Sequence, residues 1–165
     1  MQTKALFLDR DGVVNVDHGY VSKPEQFEFI DGVFEATKWF QQQGFEIVIV
    51  TNQSGIGRGY YDEKTFNELT RWMKGEFAKH EVQIADVQFC PHHPTNAQPE
   101  YLKACDCRKP EPESCVPRGS STVDYPLDLG HWIPYESKDA GEPGYIANRN
   151  AETPCRQDIP TSISA

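Results

Sequence analysis

The chain has 165 residues, of which 38% are hydrophobic, and this is enough for one domain with a buried core. Its formal net charge of -9 argues against extended contact with nucleic acid or an anionic membrane, because both attract basic surfaces. No run approaches the roughly 18 apolar residues of a membrane span, and the N-terminus lacks the layout of a secretory signal. We therefore expect a cytoplasmic monomer that binds a small molecule.

The first predicted element is a short buried strand, residues 5–8 (ALFL), which ends in two carboxylates, Asp9 and Asp11, and in Gly12. Four consecutive apolar residues suit a parallel sheet that helices cover on both faces. Side chains two apart on an extended backbone point the same way, so Asp9 and Asp11 would converge while Arg10 points elsewhere. Such a pair can share a divalent cation, or act as nucleophile and general acid/base. The alternative is a solvated turn.

A helix and a second buried strand follow. Asp31 is the predicted N-cap of the helix and Gly44 its stop, and residues 45–50 (FEIVIV) form a β-branched strand. A right-handed βαβ unit brings the carboxyl ends of both strands to one edge of the sheet, so Thr51 would lie close to Asp9.

The loop after the second strand has the composition of a phosphate cradle. It carries the hydroxyl of Thr51 and then Asn52, Gln53 and Ser54, where backbone N–H groups are expected to be free. A plain turn at a strand end is the alternative. Residues 55–59 (GIGRG) are too rich in glycine for a helix and are predicted to be a flexible connection, before a helix at about 62–79 and a short strand at 87–89.

Two close pairs of metal-ligating residues follow the third strand. Cys90 and His92 form one pair, and Cys105 and Cys107 form the other. The odd number of cysteines in a chain without a secretion signal argues against a disulfide framework, whereas four N/S ligands suit structural Zn²⁺. His93 is an alternative to His92, and a chance grouping of free thiols is the alternative to zinc.

Directly after these pairs stand Arg108 and Lys109. They supply the local basic site that an acidic chain would need for an anionic substrate, since Arg and Lys suit bidentate and point-charge contacts with phosphate.

Residues 8–15 (LDRDGVVN), residues 51–55 (TNQSG) and Lys109 together resemble the signatures of the haloacid dehalogenase (HAD) superfamily, mostly Mg²⁺-dependent phosphatases. The resemblance implies a doubly wound, Rossmann-like parallel α/β sheet. It also implies that Asp9 is the nucleophile, that Asp11 is the acid/base, that Thr51 and Lys109 stabilise the phosphoryl charge, and that Asp9 and Asp11 hold Mg²⁺.

The cysteine and histidine pairs, together with residues 108–110 (RKP), are similar to a zinc-bearing branch of this superfamily, which contains heptose bisphosphate phosphatases and histidinol phosphatases. This likeness favours His92 over His93. Residues 17–21 (DHGYV) are similar to the substrate loop of the heptose enzymes, which implies hydrolysis of the 7-phosphate of D-glycero-D-manno-heptose 1,7-bisphosphate, a step toward lipopolysaccharide-core heptose. The implied substrate-binding residues are Asp17, His18, Gly19, Tyr20, Asn52, Gln53, Ser54 and Arg108.

Two alternatives to the heptose phosphatase stay open. One is a histidinol-phosphate phosphatase, and the other is a non-catalytic, zinc-stabilised fragment that binds sugar phosphate.

The resemblance covers residues 5–112 and fails beyond them. We expect residues 1–112 to be the phosphatase core, with a zinc loop at about 90–109, and residues 113–165 to be a diverged or frame-damaged tail that is partly disordered and leaves the C-terminal part of the sheet incomplete. An ordered but unfamiliar subdomain is the alternative. From Gly141 onward we expect loop or disorder. The Gly-Asp-Lys motif of the family aligns with residues 133–135 (IPY), so its Mg²⁺ carboxylate falls on Pro134.

Overall fold

A computed structural model describes residues 4–105, 107 and 108, together with the backbone of two short strands at 133–135 and 144–148. None of the helices in this part of the chain is long and apolar enough to cross a membrane. In chain order, the elements are β1 (Lys4–Leu8), a short 3₁₀ helix (Pro24–Gln26), α1 (Val33–Gln42), β2 (Phe45–Asn52), α2 (Ser54–Gly57), α3 (Glu63–Lys79), β3 (Ile84–Cys90), β4 (Ile133–Tyr135) and β5 (Gly144–Asn148).

The strands form one sheet in the order β3-β2-β1-β5-β4. Strands β1, β2 and β3 are parallel, with Leu8 beside Ile49 and Thr51 beside Phe89. This confirms the predicted α/β fold with a parallel sheet, and it brings the residues that follow β1, β2 and β3 to the same edge.

The hydrophobic core lies against the face of the sheet that carries alternate residues of β1 and β2. Both long helices contribute to it, and its strand and helix members include Leu6, Leu8, Ile47, Ile49, Val33, Leu69, Met73 and Phe77. The intervening side chains, Phe7, Val48 and Val50, are buried as well. Burial on both faces explains the nearly continuous apolar runs of these strands.

The last two strands differ from the expectation for the tail. Strand β5 pairs antiparallel with β1, and β4 pairs antiparallel with β5. The prediction of loop from Gly141 onward is therefore wrong for residues 144–148. The rest of the 113–165 segment lies outside the described residues, so its predicted division from the core stays a prediction.

The helix boundaries correct two further expectations. The N-cap of α1 is Gly32 and not the predicted Asp31. Gly32 has a left-handed backbone conformation, at φ 83°, and no side chain caps the helix. Gly44, at φ 84°, ends this helix as predicted. Residues 54–57 form the single helical turn α2 instead of a flexible connection.

Close packing explains this turn of helix. A Cβ on Gly55 would lie 2.4 Å from the ring of Tyr61, and a Cβ on Gly57 would lie 2.4 Å from the carbonyl oxygen of Pro91. The glycines that argued against a helix are thus the residues that let α2 approach its neighbours.

Helix α3 agrees with the prediction. Its N-cap is Asp62, whose Oδ1 accepts a 2.8 Å hydrogen bond from the Thr65 N–H. Strand β3 is longer than predicted, beginning at Ile84 and ending at Cys90.

Candidate active site and metal-binding cluster

Asp9 and Thr51 lie at the carboxyl ends of the adjacent parallel strands β1 and β2. Asp9 is 8% exposed and Thr51 is 1% exposed. The Oδ1 atom of Asp9 accepts a 2.8 Å hydrogen bond from the Arg10 backbone N–H, which fixes the carboxylate at the end of the strand. The parallel register of β1 and β2, with Leu8 beside Ile49, puts both residues at the same edge of the sheet.

Asp11 lies in a network of donors. Its Oδ1 atom accepts hydrogen bonds from Arg10 Nη2 (2.9 Å) and Asn15 Nδ2 (3.0 Å), and its Oδ2 atom accepts from Gln53 Nε2 (3.0 Å). These contacts orient both carboxylate oxygens while the side chain stays partly open to solvent.

Arg10 was expected to point away from this pair, and that expectation is wrong. Arg10 is 1% exposed, and its Nη2 atom turns back to Asp11 and to the Val21 carbonyl. The backbone turns tightly after β1, where the N–H groups of Val13 and Val14 donate to the Arg10 carbonyl. A buried guanidinium requires a charged partner, and the neighbouring carboxylate supplies one.

Gln53 joins the two strand ends. Its Nε2 atom donates to Thr51 Oγ1 (2.8 Å) as well as to Asp11. Its backbone N–H donates to the carbonyl of Cys90 (2.8 Å), so this N–H is not one of the free groups predicted for the phosphate cradle. Asn52 is half-buried at the end of β2, and Ser54 is half-buried at the start of α2.

The loop at residues 17–21 folds beside this site. Arg10 Nη2 donates to the Val21 carbonyl (2.8 Å), which ties the loop to the guanidinium that also binds Asp11. Within the loop, Asp17 Oδ1 accepts from the Gly19 N–H (2.9 Å). Tyr20 adopts a positive φ of 52° and packs edge-on against the ring of Tyr60, at 4.7 Å between centroids.

The outer side of this loop is acidic. A cleft of about 300 Å³ lies there, and His18, Glu25 and Glu28 are among its lining residues. His18 Nε2 lies 2.9 Å from Glu28 Oε2 at the surface. Because the two glutamates would repel phosphate, this cleft does not suit the charged end of a sugar phosphate.

The four predicted zinc ligands form a compact cluster. Their ligand atoms all lie within 4.8 Å of one another, with Cys90 and Cys107 Sγ 3.2 Å apart and His92 Nδ1 3.4 Å from Cys107 Sγ. A tetrahedral ion with Zn–S bonds of about 2.3 Å separates its sulfurs by about 3.8 Å. The donors therefore have the types and the arrangement that Zn²⁺ requires, after a small expansion.

His93 is turned away from this cluster. Its Nδ1 atom accepts hydrogen bonds from the Thr95 N–H (3.2 Å) and the Asn96 N–H (3.0 Å). Of the two histidines that the sequence left open, His92 is the one that faces the sulfurs.

The thiols differ in their electrostatics. Burial raises the pKa of Cys90, and hydrogen bonds with Cys107 and Cys105 raise it further. Burial also opposes ionisation of Cys105, but hydrogen bonds from Cys107 and Cys90 outweigh it and hold the pKa of Cys105 below its ordinary value.

The basic pair after the cluster is described only in part. Arg108 is half-buried next to Cys107. Lys109, the predicted phosphate-binding lysine, lies outside the described residues, as does the side chain of Pro134.

Three residues of the site were missed by sequence reasoning, namely Arg10, Asn15 and Tyr61. The hydroxyl of Tyr61 donates to Gln53 Oε1, and Asn15 is fully buried beside Asp11. Asn15 stood within the matched motif at residues 8–15 and could have been found there. Tyr61 follows a glycine-rich stretch that carried no signal.

The chain is similar to known proteins over about two thirds of its length. A D-glycero-beta-D-manno-heptose-1,7-bisphosphate 7-phosphatase from Photorhabdus laumondii is 51% identical over 108 residues, which are 66% of this chain and 57% of the relative. The corresponding protein of Vibrio cholerae is 52% identical over 112 residues, which are 68% of this chain and 60% of the relative. No protein-family model matches the chain.

Solved structures show the same relationship. A protein from Mesorhizobium loti described as a HAD-like phosphatase superposes with a TM-score of 0.63 at 34% identity, over 68% of this chain and 54% of the other. Over the superposed residues, this chain has the fold of the HAD-like phosphatases. A D,D-heptose 1,7-bisphosphate phosphatase from B. bronchiseptica, complexed with magnesium and phosphate, superposes with a TM-score of 0.60 at 33% identity, over 68% of this chain and 60% of that one. The chain thus spans less than two thirds of the length of these relatives.

Proposed function

We propose that the chain hydrolyses the 7-phosphate of D-glycero-D-manno-heptose 1,7-bisphosphate, as a cytoplasmic monomer, in the synthesis of lipopolysaccharide-core heptose. The observation that carries this proposal is that the side chain of Gln53 joins Asp11 to Thr51 at the carboxyl edge of the parallel strands, where Asp9 directly follows β1. Relatives about half identical to the chain bear the name of this activity.

The side chains have separate tasks in such a reaction. Asp9, held by the Arg10 backbone N–H, attacks the phosphorus and forms an aspartyl phosphate. Asp11 protonates the leaving oxygen of the sugar and then accepts a proton from the water that hydrolyses the intermediate. The hydroxyl of Thr51 donates a hydrogen bond to the phosphoryl oxygens, and Lys109 is proposed to balance their charge.

Magnesium suits the donor set at this edge of the sheet. Mg²⁺ is usually held by one or two carboxylates together with substrate phosphate and water, and bound there it would neutralise charge on the phosphoryl group. Asp9 supplies a carboxylate. The two carboxylate oxygens of Asp11 already accept hydrogen bonds from side chains, so the backbone carbonyl of Asp11 is the proposed second ligand.

Zinc is proposed as a structural ion in the cluster of Cys90, His92, Cys105 and Cys107. A set of three sulfurs and one imidazole closes the coordination sphere and leaves no position for substrate. Its proposed task is to hold the segment that carries Arg108 and Lys109 beside the sheet.

The test is phosphate release from heptose 1,7-bisphosphate, with histidinol phosphate as the rival substrate on the same preparation. Asp9→Asn should abolish turnover and leave the unfolding midpoint unchanged, because the amide keeps the shape of the nucleophile and removes its charge. The matched control is Asp31→Asn, an exposed aspartate outside the site, which should retain full activity. Turnover that survives Asp9→Asn, or faster turnover of histidinol phosphate, would contradict the assignment.

One observation favours a second candidate, a domain that binds sugar phosphate without hydrolysing it. Residues 133–135, which align with the Mg²⁺-binding motif of the family, form the edge strand β4, and β5 separates them from β1. If this lowers Mg²⁺ affinity, calorimetry would detect binding of the bisphosphate while no phosphate is released at any Mg²⁺ concentration. Release that rises with Mg²⁺ would exclude this candidate.

A further inference from the structure

A hydrogen-bonded relay runs from Tyr61 to the candidate acid/base. The hydroxyl of Tyr61 donates to Gln53 Oε1, and Gln53 Nε2 donates to Asp11 Oδ2 (3.0 Å) and to Thr51 Oγ1 (2.8 Å). Tyr61 is half-buried and Gln53 is 2% exposed. One amide therefore holds two side chains of the phosphoryl site, and one tyrosine holds the amide.

The orientation of this amide matters to the site. A carboxylate accepts hydrogen bonds and cannot donate them, so the NH₂ group of Gln53 has to face Asp11. If the amide turned over, its Oε1 atom would face Asp11 Oδ2 and repel it. A hydrogen-bond donor beside Oε1 opposes this rotation, because the rotated amide would place its NH₂ group against that donor.

Tyr61 is suited to be that donor. Burial raises its pKa to about 12, and the nearby Arg10 guanidinium offsets only part of this effect. The hydroxyl thus keeps its proton at neutral pH. The chain also leaves room for the ring, since a Cβ on Gly55 would lie 2.4 Å from Tyr61 Cε1.

We propose that Tyr61 is a positioning residue for the phosphatase reaction, which locks the Gln53 amide so that its NH₂ group orients Asp11 and Thr51. This proposal rests on the proposed function for its effect on turnover, while the relay itself is a property of the folded chain. Tyr61 touches no reacting atom, and it acts through Gln53.

The experiment compares Tyr61→Phe with Tyr101→Phe in the full chain. Both changes remove a tyrosine hydroxyl that donates to a side chain, but Tyr101 bonds to Glu63 at the surface (3.2 Å). The first measurement is the ¹⁵N-resolved side-chain NH₂ signal of Gln53, assigned by its loss in Gln53→Glu. We expect a pair of slowly exchanging NH₂ protons in the wild type and in Tyr101→Phe, and averaged, faster-exchanging protons in Tyr61→Phe.

The second measurement is steady-state turnover of the heptose bisphosphate. Tyr61→Phe should lower kcat roughly tenfold, which is the effect expected from the loss of one hydrogen bond. KM should stay within about twofold of the wild type. Gly55→Ala, which displaces the Tyr61 ring but keeps its hydroxyl, should lower kcat in the same direction.

The outcomes separate the relay from the proposed function. Unchanged NH₂ signals in Tyr61→Phe would overturn the relay, whatever the turnover. A rise in KM at constant kcat would also overturn it, because the tyrosine would then contact the substrate. If the wild type releases no phosphate, the proposed function fails, and the NH₂ signals alone decide whether Tyr61 holds Gln53.

Discussion

The backbone N–H of Gln53 donates a 2.8 Å hydrogen bond to the carbonyl oxygen of Cys90. Cys90 is a member of the metal-binding cluster, while the side chain of Gln53 contacts Asp11 and Thr51. The cluster and the candidate phosphoryl site thus share a backbone contact across the ends of β2 and β3. Loosening of the cluster should be felt at the site through this contact.

We predict that the purified protein carries about one Zn²⁺ per chain and that His92→Ala removes it, whereas His93→Ala does not. The reason is that His92 Nδ1 faces the sulfurs, while His93 Nδ1 accepts from its own loop. Metal analysis measures the stoichiometry. Stoichiometric zinc in His92→Ala, with loss in His93→Ala, would reverse the ligand assignment.

Removal of the metal should also loosen the site, because the binding free energy of such an ion stabilises the loop that supplies its ligands. A chelator should accelerate hydrogen exchange at the backbone N–H groups of residues 90–105 and of Gln53 before it affects those of α3. Simultaneous exchange in all of these segments would show that the cluster is not a separate unit.

A second prediction concerns the buried guanidinium of Arg10. Arg10→Met should lower the free energy of unfolding by roughly 2–4 kcal/mol, because it removes the charged partner of Asp11 and the donor to the Val21 carbonyl. Methionine can still pack in the space over the Phe27 ring. Denaturant unfolding at neutral pH measures the change.

The control is Arg71→Met, at an exposed position of α3. It should change the free energy of unfolding by less than about 0.5 kcal/mol. Equal effects of the two changes would mean that the contacts of Arg10 with Asp11 and Val21 add nothing to stability.

The parts of the fold that the sequence predicted are those with a periodic or paired signal. The apolar runs of β1 and β2 predicted parallel strands, and the Cys and His pairs predicted the cluster that the structure shows. The direction of Arg10 was mispredicted because strand geometry ends at Leu8, and the following turn is set by contacts that no local pattern contains.

Other features depended on tertiary contacts. Helix α2 forms despite its glycines because its neighbours approach closely enough to exclude side chains. The antiparallel pairing of β5 with β1 had no counterpart in the composition of residues 141–165, which is typical of loop or disorder. Tyr61 could not be assigned because its partner, Gln53, is brought to it by the turn at α2.

A third prediction separates the two candidate helix caps. Asp62→Ala should lower the midpoint of thermal unfolding, because Asp62 Oδ1 accepts the Thr65 N–H at the start of α3. Asp31→Ala should leave the midpoint unchanged, since α1 has no side-chain cap at its start. If both changes lowered the midpoint equally, charge near the helix ends would be the cause and not the cap.

The cap of α3 should also depend on pH. The hydrogen bond from the Thr65 backbone holds the pKa of Asp62 below its ordinary value of 3.8. A lowered pKa in the folded state means that the stabilisation is fully present above the unfolded pKa and is lost as pH falls through the folded one. The difference in midpoint between the wild type and Asp62→Ala should therefore be constant near neutral pH and shrink below about pH 4. A difference that grew on acidification would contradict the assignment of this pKa.

The last prediction uses two glycines in different surroundings. Gly75 lies exposed in α3, and a Cβ there would meet nothing within 4 Å. Gly75→Ala should therefore raise the free energy of unfolding by about 0.5–1 kcal/mol, because alanine loses less backbone entropy in a helix. Gly57→Ala would place a Cβ 2.4 Å from the Pro91 carbonyl oxygen. Backbone has to move there, so this change should cost roughly 1–3 kcal/mol.

In Gly57→Ala, the added Cβ would push against Pro91, which lies between the proposed zinc ligands Cys90 and His92. Gly57 also holds this region through its carbonyl, which accepts a 2.7 Å hydrogen bond from the Gln98 N–H. Gly57→Ala should therefore release zinc to a chelator faster than Gly75→Ala does, in addition to unfolding earlier in denaturant. If Gly57→Ala stabilised the protein and retained zinc as Gly75→Ala does, the close approach of α2 to the metal-binding loop would be absent in solution.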